Sequence, residues 1–220
     1  MNSATQRTWI YIDGFNLYYG SVFDTPYKWL DLVQLCRNLL PKNDVQHVKY
    51  FTAKVNGDGD LNRIDRQEIY WRALRHSGIE IIEGPFRCDA KRMPLAYYGN
   101  DHIPNKRTAQ LAYVMRTEEK GSDVNLAAHL VNDACHGVFD VAVVVSNDSD
   151  FKEAIRLVRG EIGKTVGVIN PSCRKRSKSR GSALHSVASF WLGIEEWELR
   201  KAQLPACIPG TNITKPKAWE

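Results

Sequence analysis

Short β-branched or aromatic runs in this chain alternate with longer stretches in which apolar residues recur every three or four positions. Trp9–Ile12 is the first such run, and it ends at Asp13-Gly14-Phe15-Asn16. Leu30, Val33, Leu35, Leu39 and Leu40 predict a helix over Leu30–Leu40, which Pro41 stops. Val45–Ala53 alternates loosely and reads as a strand, followed by the polar loop Asn56–Asp60. Leu61, Ile64, Tyr70, Trp71 and Leu74 give Leu61–His76 an apolar helical face, and Ser77-Gly78 suits a helix C-cap. Ile79–Ile82 reads as the next strand.

The stretch Arg87–Lys106 is the least regular, with Pro94, Gly99 and Pro104, and is expected to be a long excursion or hairpin. Asp123–His136 is helical in spacing, with Ser122 expected as its N-cap. Val141, Val143, Val144 and Val145 form a near-continuous run that predicts a strand buried on both faces. A helix is expected over Asp150–Arg159, a strand over Thr165–Ile169 and a helix over Glu195–Ala202, with a short apolar piece at Phe190–Ile194. Strands alternating with helices imply an α/β fold with a mostly parallel sheet. Residues 1–171 would form the main domain, and 172–220 a basic segment and C-terminal extension packing on it.

Composition narrows the class without naming a function. Across 220 residues, 43% are hydrophobic and 25% charged, which suits a chain with a real core and excludes a disordered tract, a collagen or a coiled coil. No run approaches a membrane span, and the N-terminal residues lack an apolar leader core, so a cytoplasmic protein with no membrane partner is expected. The five cysteines (Cys36, Cys88, Cys135, Cys173, Cys207) are scattered and contain no CxxC; they are expected to be reduced and mostly buried.

Ligands of open parallel sheets gather where strands end at their carboxyl edge. The first strand ends at Asp13, and the valine-rich strand ends in Ser146-Asn147-Asp148-Ser149-Asp150. Asp123 opens the helix just before that strand. Each acid alone could be a turn former or a helix cap. Together, Asp13, Asp123, Asp148 and Asp150 would crowd like charges, a cost that a divalent cation removes. Oxygen ligands without His or Cys favour Mg²⁺ or Mn²⁺ over zinc, and with them water activation and phosphodiester chemistry.

Three ordered blocks, YIDGFNLYYG, EEKGSDVNLAAHLVNDA and FDVAVVVSNDSDFKEAIRLV, resemble the NYN domain family of the PIN-like nuclease superfamily, in its LabA-like branch. The resemblance runs from about Trp9 to Ile169 and touches the C-terminal tail. It implies a PIN-like Rossmannoid three-layer α/β/α fold and a metal-dependent ribonuclease site. Carried over by motif, Asp13 and Asn16 come from the first block, Asp123 from the second, and Asp148 and Asp150 from the third. The family usually has Gly where this chain has Asn147.

Other chemistries find no support in the residues. An aspartyl phosphatase would want Asp where Phe15 stands, and no P-loop, GxGxxG or GxSxG motif is present. The six histidines are dispersed. Arg174, Lys175, Arg176, Lys178 and Arg180 put five positive charges in seven residues, equal to the whole formal excess of +5. This segment is expected to contact an RNA backbone, most simply single-stranded, with Lys91, Arg92, Lys106 and Arg107 as a second wall. Phe15, Tyr18 and Tyr19 could stack bases, though packing is the plainer role for them. Trp191 and Trp197 could form a self-association interface.

The expected function is hydrolysis of RNA phosphodiesters, with Asp13, Asp123, Asp148 and Asp150 on Mg²⁺ or Mn²⁺. Asn16 would orient a ligand or water, and Ser146 would support the loop. The alternative is a non-catalytic RNA-binding or regulatory adaptor on the same fold.

Overall fold

The computed structural model describes residues 5–55, 60, 62–95, 111–171 and 183–219. Leu61, Lys106, Arg107, Cys173 and the basic run Arg174–Arg180 lie outside them. In chain order the main elements are β1 (Arg7–Asp13), α1 (Gly14–Leu17), α2 (Leu32–Leu39), β2 (Asp44–Ala53), α3 (Asn62–His76), β3 (Glu80–Gly84), β4 (Phe86–Pro94) and β5 (Leu111–Glu119). They continue with α4 (Ser122–Cys135), β6 (Val141–Val145), α5 (Lys152–Gly160), β7 (Thr165–Asn170), β8 (Phe190–Gly193) and α6 (Glu196–Lys201).

Six strands form one parallel sheet in the order β3-β2-β1-β6-β7-β8. The chain winds outward through β2 and β3, then returns to lay β6 on the free side of β1. The switch point is therefore the β1–β6 junction, where Ile12 pairs with Val145. Burial of all five β6 residues explains their near-continuous branched run.

Alternation in β1 divides two apolar layers. Ile10 and Ile12 pack with Leu32, Leu35, Leu74 and Leu199, beneath α2, α3 and α6. Tyr11 faces the other way, onto Leu126, Leu130, Ile155 and Val158 of α4 and α5. The result is a three-layer α/β/α sandwich. No described helix is long and apolar enough to cross a membrane.

Most expected elements appear with shifted ends. The helix expected from Leu30, α2, begins at Leu32, because Asp31 caps it by accepting from Gln34 N–H at 2.9 Å while Leu30 bridges to Gln203. Gly78 takes φ 82° just past α3, as a C-cap glycine does. The irregular middle opens with β4, which pairs antiparallel with β5 beyond it to form a two-stranded ribbon separate from the main sheet. The apolar piece at Phe190 is an edge strand on β7.

Two expectations are corrected. Ser122 is not the N-cap of α4: Gly121, at φ 88°, holds that position, and Ser122 is the buried first helical residue. A glycine can adopt this left-handed backbone without strain, and the acceptor for Ser122 N–H comes from Glu119 at 2.9 Å. Nor are the described cysteines mostly buried. Cys36 is, but Cys88 lies on the ribbon, Cys135 ends α4 and Cys207 sits in the C-terminal segment, all three exposed.

Candidate functional site

Adjacent parallel strands bring their carboxyl ends together, so the turns after β1 and β6 are neighbours. Asp13, the last residue of β1, is 6% exposed. Its Oδ1 accepts from Asn16 N–H at 3.0 Å, which caps α1, and its Oδ2 accepts from Ser146 Oγ at 3.0 Å. The turn-former reading of this aspartate is thus met. Capping alone does not account for its burial, since exposed aspartates cap equally well.

Ser146 is fully buried and joins the two turns: its Oγ donates to Asp13 and accepts from Asp148 N–H at 3.1 Å. Asn16 Oδ1 accepts from Asn147 N–H at 3.2 Å, a second cross-link between them. Asp148 Oδ1 then accepts from Asp150 N–H at 3.0 Å and caps the short 3-10 turn Ser149–Phe151. Asn16 and Ser146 therefore hold the carboxylates in place.

These turns and the start of α4 surround an open cleft of about 440 Å³, with Asp13, Asn16, Glu119, Asp123, Asn147 and Asp148 on its polar side and Phe15 and Tyr19 on its apolar side. No lysine or arginine is among the described residues lining it. Burial raises the Asp13 carboxyl most, its two hydrogen bonds pull it back, and the charges of Asp123 and Asp148 raise it further, leaving it pushed up to about 6. Asp123 is also raised, by burial first and then by Asp148, Glu119 and Asp150. The structure thus gathers Asp13, Asn16, Asp123 and Asp148 on one cleft, with Ser146 just behind.

Asp150 does not line the cleft. It is exposed on the 3-10 turn, and its charge still reaches Asp123. Glu119 does line it and was not singled out from the sequence, although it stands in the same EEKGSD block as Asp123. Its signal was the spacing: a carboxylate three residues before a helix start can accept from the first-turn N–H groups. Lys91 and Arg92 lie on β4 of the ribbon.

The donor set is all oxygen. Among the described residues, no three His, Cys, Asp or Glu side chains are grouped so as to hold a metal ion; it is the all-oxygen chemistry of the cleft, and not a formed ligand group, that points to a hard cation. Mg²⁺ and Mn²⁺ are the cations that take such oxygen donors, through one or two carboxylates, while keeping waters and binding substrate phosphates.

Against solved structures, the fold is similar to that of a Vibrio parahaemolyticus protein of unknown function, with TM-score 0.56 and 19% identity, covering 89% of this chain and 98% of that one. Among curated proteins, the chain is similar to 6-hydroxy-3-succinoylpyridine 3-monooxygenase HspA of Pseudomonas putida, 34% identical over an alignment 244 positions long that takes in 100% of this chain and 77% of that protein. The family model for the NYN domain matches residues 7–189. The chain belongs to the NYN domain family, and through it to the PIN-like superfamily.

Proposed function

We propose that this protein is a divalent-metal-dependent ribonuclease. The observation that carries the reading is the cleft at the β1–β6 switch point, where Asp13, Asp123 and Asp148 arrive from three separate segments with no described cation to offset them. Asp13, Asp123 and Asp148 would hold Mg²⁺ or Mn²⁺, with Glu119 adding negative charge to the lining and Asp150 from outside it. When bound, the cation would supply charge neutralisation at a phosphodiester and activation of water. Ser146 and Asn16 fix the carboxylates, and Asp13 retains a proton until about pH 6 when no cation is present. The basic run Arg174–Arg180 would take the backbone of single-stranded RNA, in a cytoplasmic setting where Cys36, Cys135 and Cys207 stay free.

The test is cleavage of end-labelled single-stranded RNA with Mn²⁺ and with EDTA. Metal-dependent cleavage that disappears in Asp148→Asn while RNA binding persists is expected. Cleavage in EDTA overturns the mechanism. RNA binding without cleavage under any metal favours the adaptor.

A second reading has its own support. The relative is named a 6-hydroxy-3-succinoylpyridine 3-monooxygenase, and a ring-sized aromatic cavity shares residues with the acidic cleft here. On that reading the purified chain, given a reductant and 6-hydroxy-3-succinoylpyridine, consumes oxygen in proportion to substrate lost.

A further inference from the structure

A second cavity, of about 160 Å³, shares Phe15 and Tyr19 with the acidic cleft. This volume is on the order of engineered cavities that accept one benzene ring. Its walls are aromatic, from Tyr18, Tyr50, Trp71 and Trp219, and its rim carries Lys28, Arg63 and Arg66. The two cavities share apolar residues but have opposite charge.

The floor is built closely. Gly14 lies flush against Tyr50, and a Cβ on it would fall 2.6 Å from Tyr50 Cζ and 2.8 Å from Phe51 carbonyl oxygen. Any side chain there would collide with the Tyr50 ring, which lines the cavity, and with the Phe51 backbone. The rim cations are not all neutralised. Arg66 pairs with Asp60, whereas neither Arg63 nor Lys28 has an acidic partner among the described residues. The guanidiniums of Arg63 and Arg66 stand near enough to the Tyr18 phenol to oppose the rise that burial gives it. An apolar slot with a few convergent charges is the usual form of a small-ligand site.

We propose that this cavity binds one planar aromatic ring bearing an anionic group, the ring held between the aromatic walls and the anion at Arg63 and Lys28. Planar walls reward stacking, and a guanidinium favours carboxylate or phosphate through charge-assisted hydrogen bonds. Two sources offer this chemistry: a nucleotide unit of a nucleic acid, or a free aromatic acid. The inference holds whichever chemistry the acidic cleft performs, because it uses no residue of the carboxylate set.

Calorimetric titration of the full chain in EDTA tests it, with the carboxylate set left without metal. The probes are uridine 5′-monophosphate, 6-hydroxypyridine-3-carboxylate, their uncharged counterparts uridine and 2-pyridone, and inorganic phosphate alone. At least one charged ring should bind saturably, roughly tenfold or more tighter than its uncharged counterpart and than phosphate. Arg63→Gln and Lys28→Gln, both at the rim and expected to fold normally, should each weaken it about tenfold. Preference for the nucleotide identifies a nucleic-acid source, and preference for the pyridine acid a metabolite. No saturable binding by either charged ring overturns the proposal. So does equal binding of charged and uncharged rings, phosphate binding as tightly as the nucleotide, or binding unmoved by Arg63→Gln. Loss of RNA cleavage in Asp148→Asn with ring binding intact would separate the two sites.

Discussion

Asp13 and Asp133 are buried to the same degree, 6% and 7% exposed, and belong to opposite kinds of structure. Asp133, on α4, accepts from Lys49 Nζ at 2.6 Å and from Tyr11 hydroxyl at 2.8 Å. Lys49 is itself buried, approaches His129 Nδ1 at 3.2 Å and lies 5.2 Å from the Trp9 ring centre. Each charge in that cluster has an opposite partner. Asp13 has only neutral donors, with Asp123 and Asp148 for company. Burial with a partner makes a strut between α4 and the sheet. Burial without one leaves a carboxylate that a cation, and not the fold, must satisfy.

The largest effect expected from this contrast is at the strut. Asp133→Ala leaves the buried Lys49 ammonium only the more distant, half-exposed Glu80 carboxylate at 3.9 Å, and should cost about 3 kcal/mol, read as a lower urea midpoint. The folded fraction should still respond to Mn²⁺, because the acidic cleft is untouched.

Next is the cation itself. Mn²⁺ or Mg²⁺ at about a hundred times its dissociation constant should stabilise the wild type by about 2.7 kcal/mol. Thermal midpoints measured against metal concentration check this, and Asp13→Asn or Asp148→Asn should flatten the response. A metal response that survives both substitutions would place the ion elsewhere.

Asp13→Asn should also stabilise the chain in EDTA by about 2–3 kcal/mol at pH 7 to 8, since each tenfold change in proton affinity is worth roughly 1.4 kcal/mol. The folded chain keeps the Asp13 proton up to about pH 6, whereas an unfolded aspartate loses it near 3.8. The contribution of this group is therefore complete below about pH 4 and lost as pH rises through 6. Asn cannot ionise, and it can still accept from Asn16 N–H while donating to Ser146 Oγ. Denaturation midpoints of both proteins from pH 4 to 8 should diverge upward across that window; a less stable variant at pH 8 would refute the unpaired reading.

The smallest effect is expected for Tyr11→Phe. It removes one buried hydrogen bond to Asp133 and should cost about 1 kcal/mol while leaving metal binding unchanged.

Much of the sheet was legible because burial on both faces leaves a mark. Val141–Val145 could hardly be anything but an interior strand, and Leu126 and Leu130 lie four apart on the face that α4 buries. The acids were legible as residues that end strands. Their convergence was not, because adjacency of β1 and β6 is a property of the winding order, which residue spacing does not encode; the resemblance of three ordered motifs supplied it. The Ser122 end of α4 differs from the expectation because a left-handed glycine moves the cap by one position, and Glu119 carried no expectation at all. The aromatic cavity was not foreseen either, since Arg63 and Trp71 of α3 meet Tyr18 only after the layers pack.

The switch point also bears on how the molecule folds. The Ser146–Asp13 hydrogen bond closes a span of 133 residues, and the ladder Thr8–Ile12 on Val141–Val145 is the seam between β1–β3 and β6–β8. Each half can pair its own strands locally, but the seam must meet the entropy of that long loop first. The acidic cleft comes into being only as the seam closes. A cation there would act as a clasp on the finished molecule, slowing its opening more than it speeds its assembly.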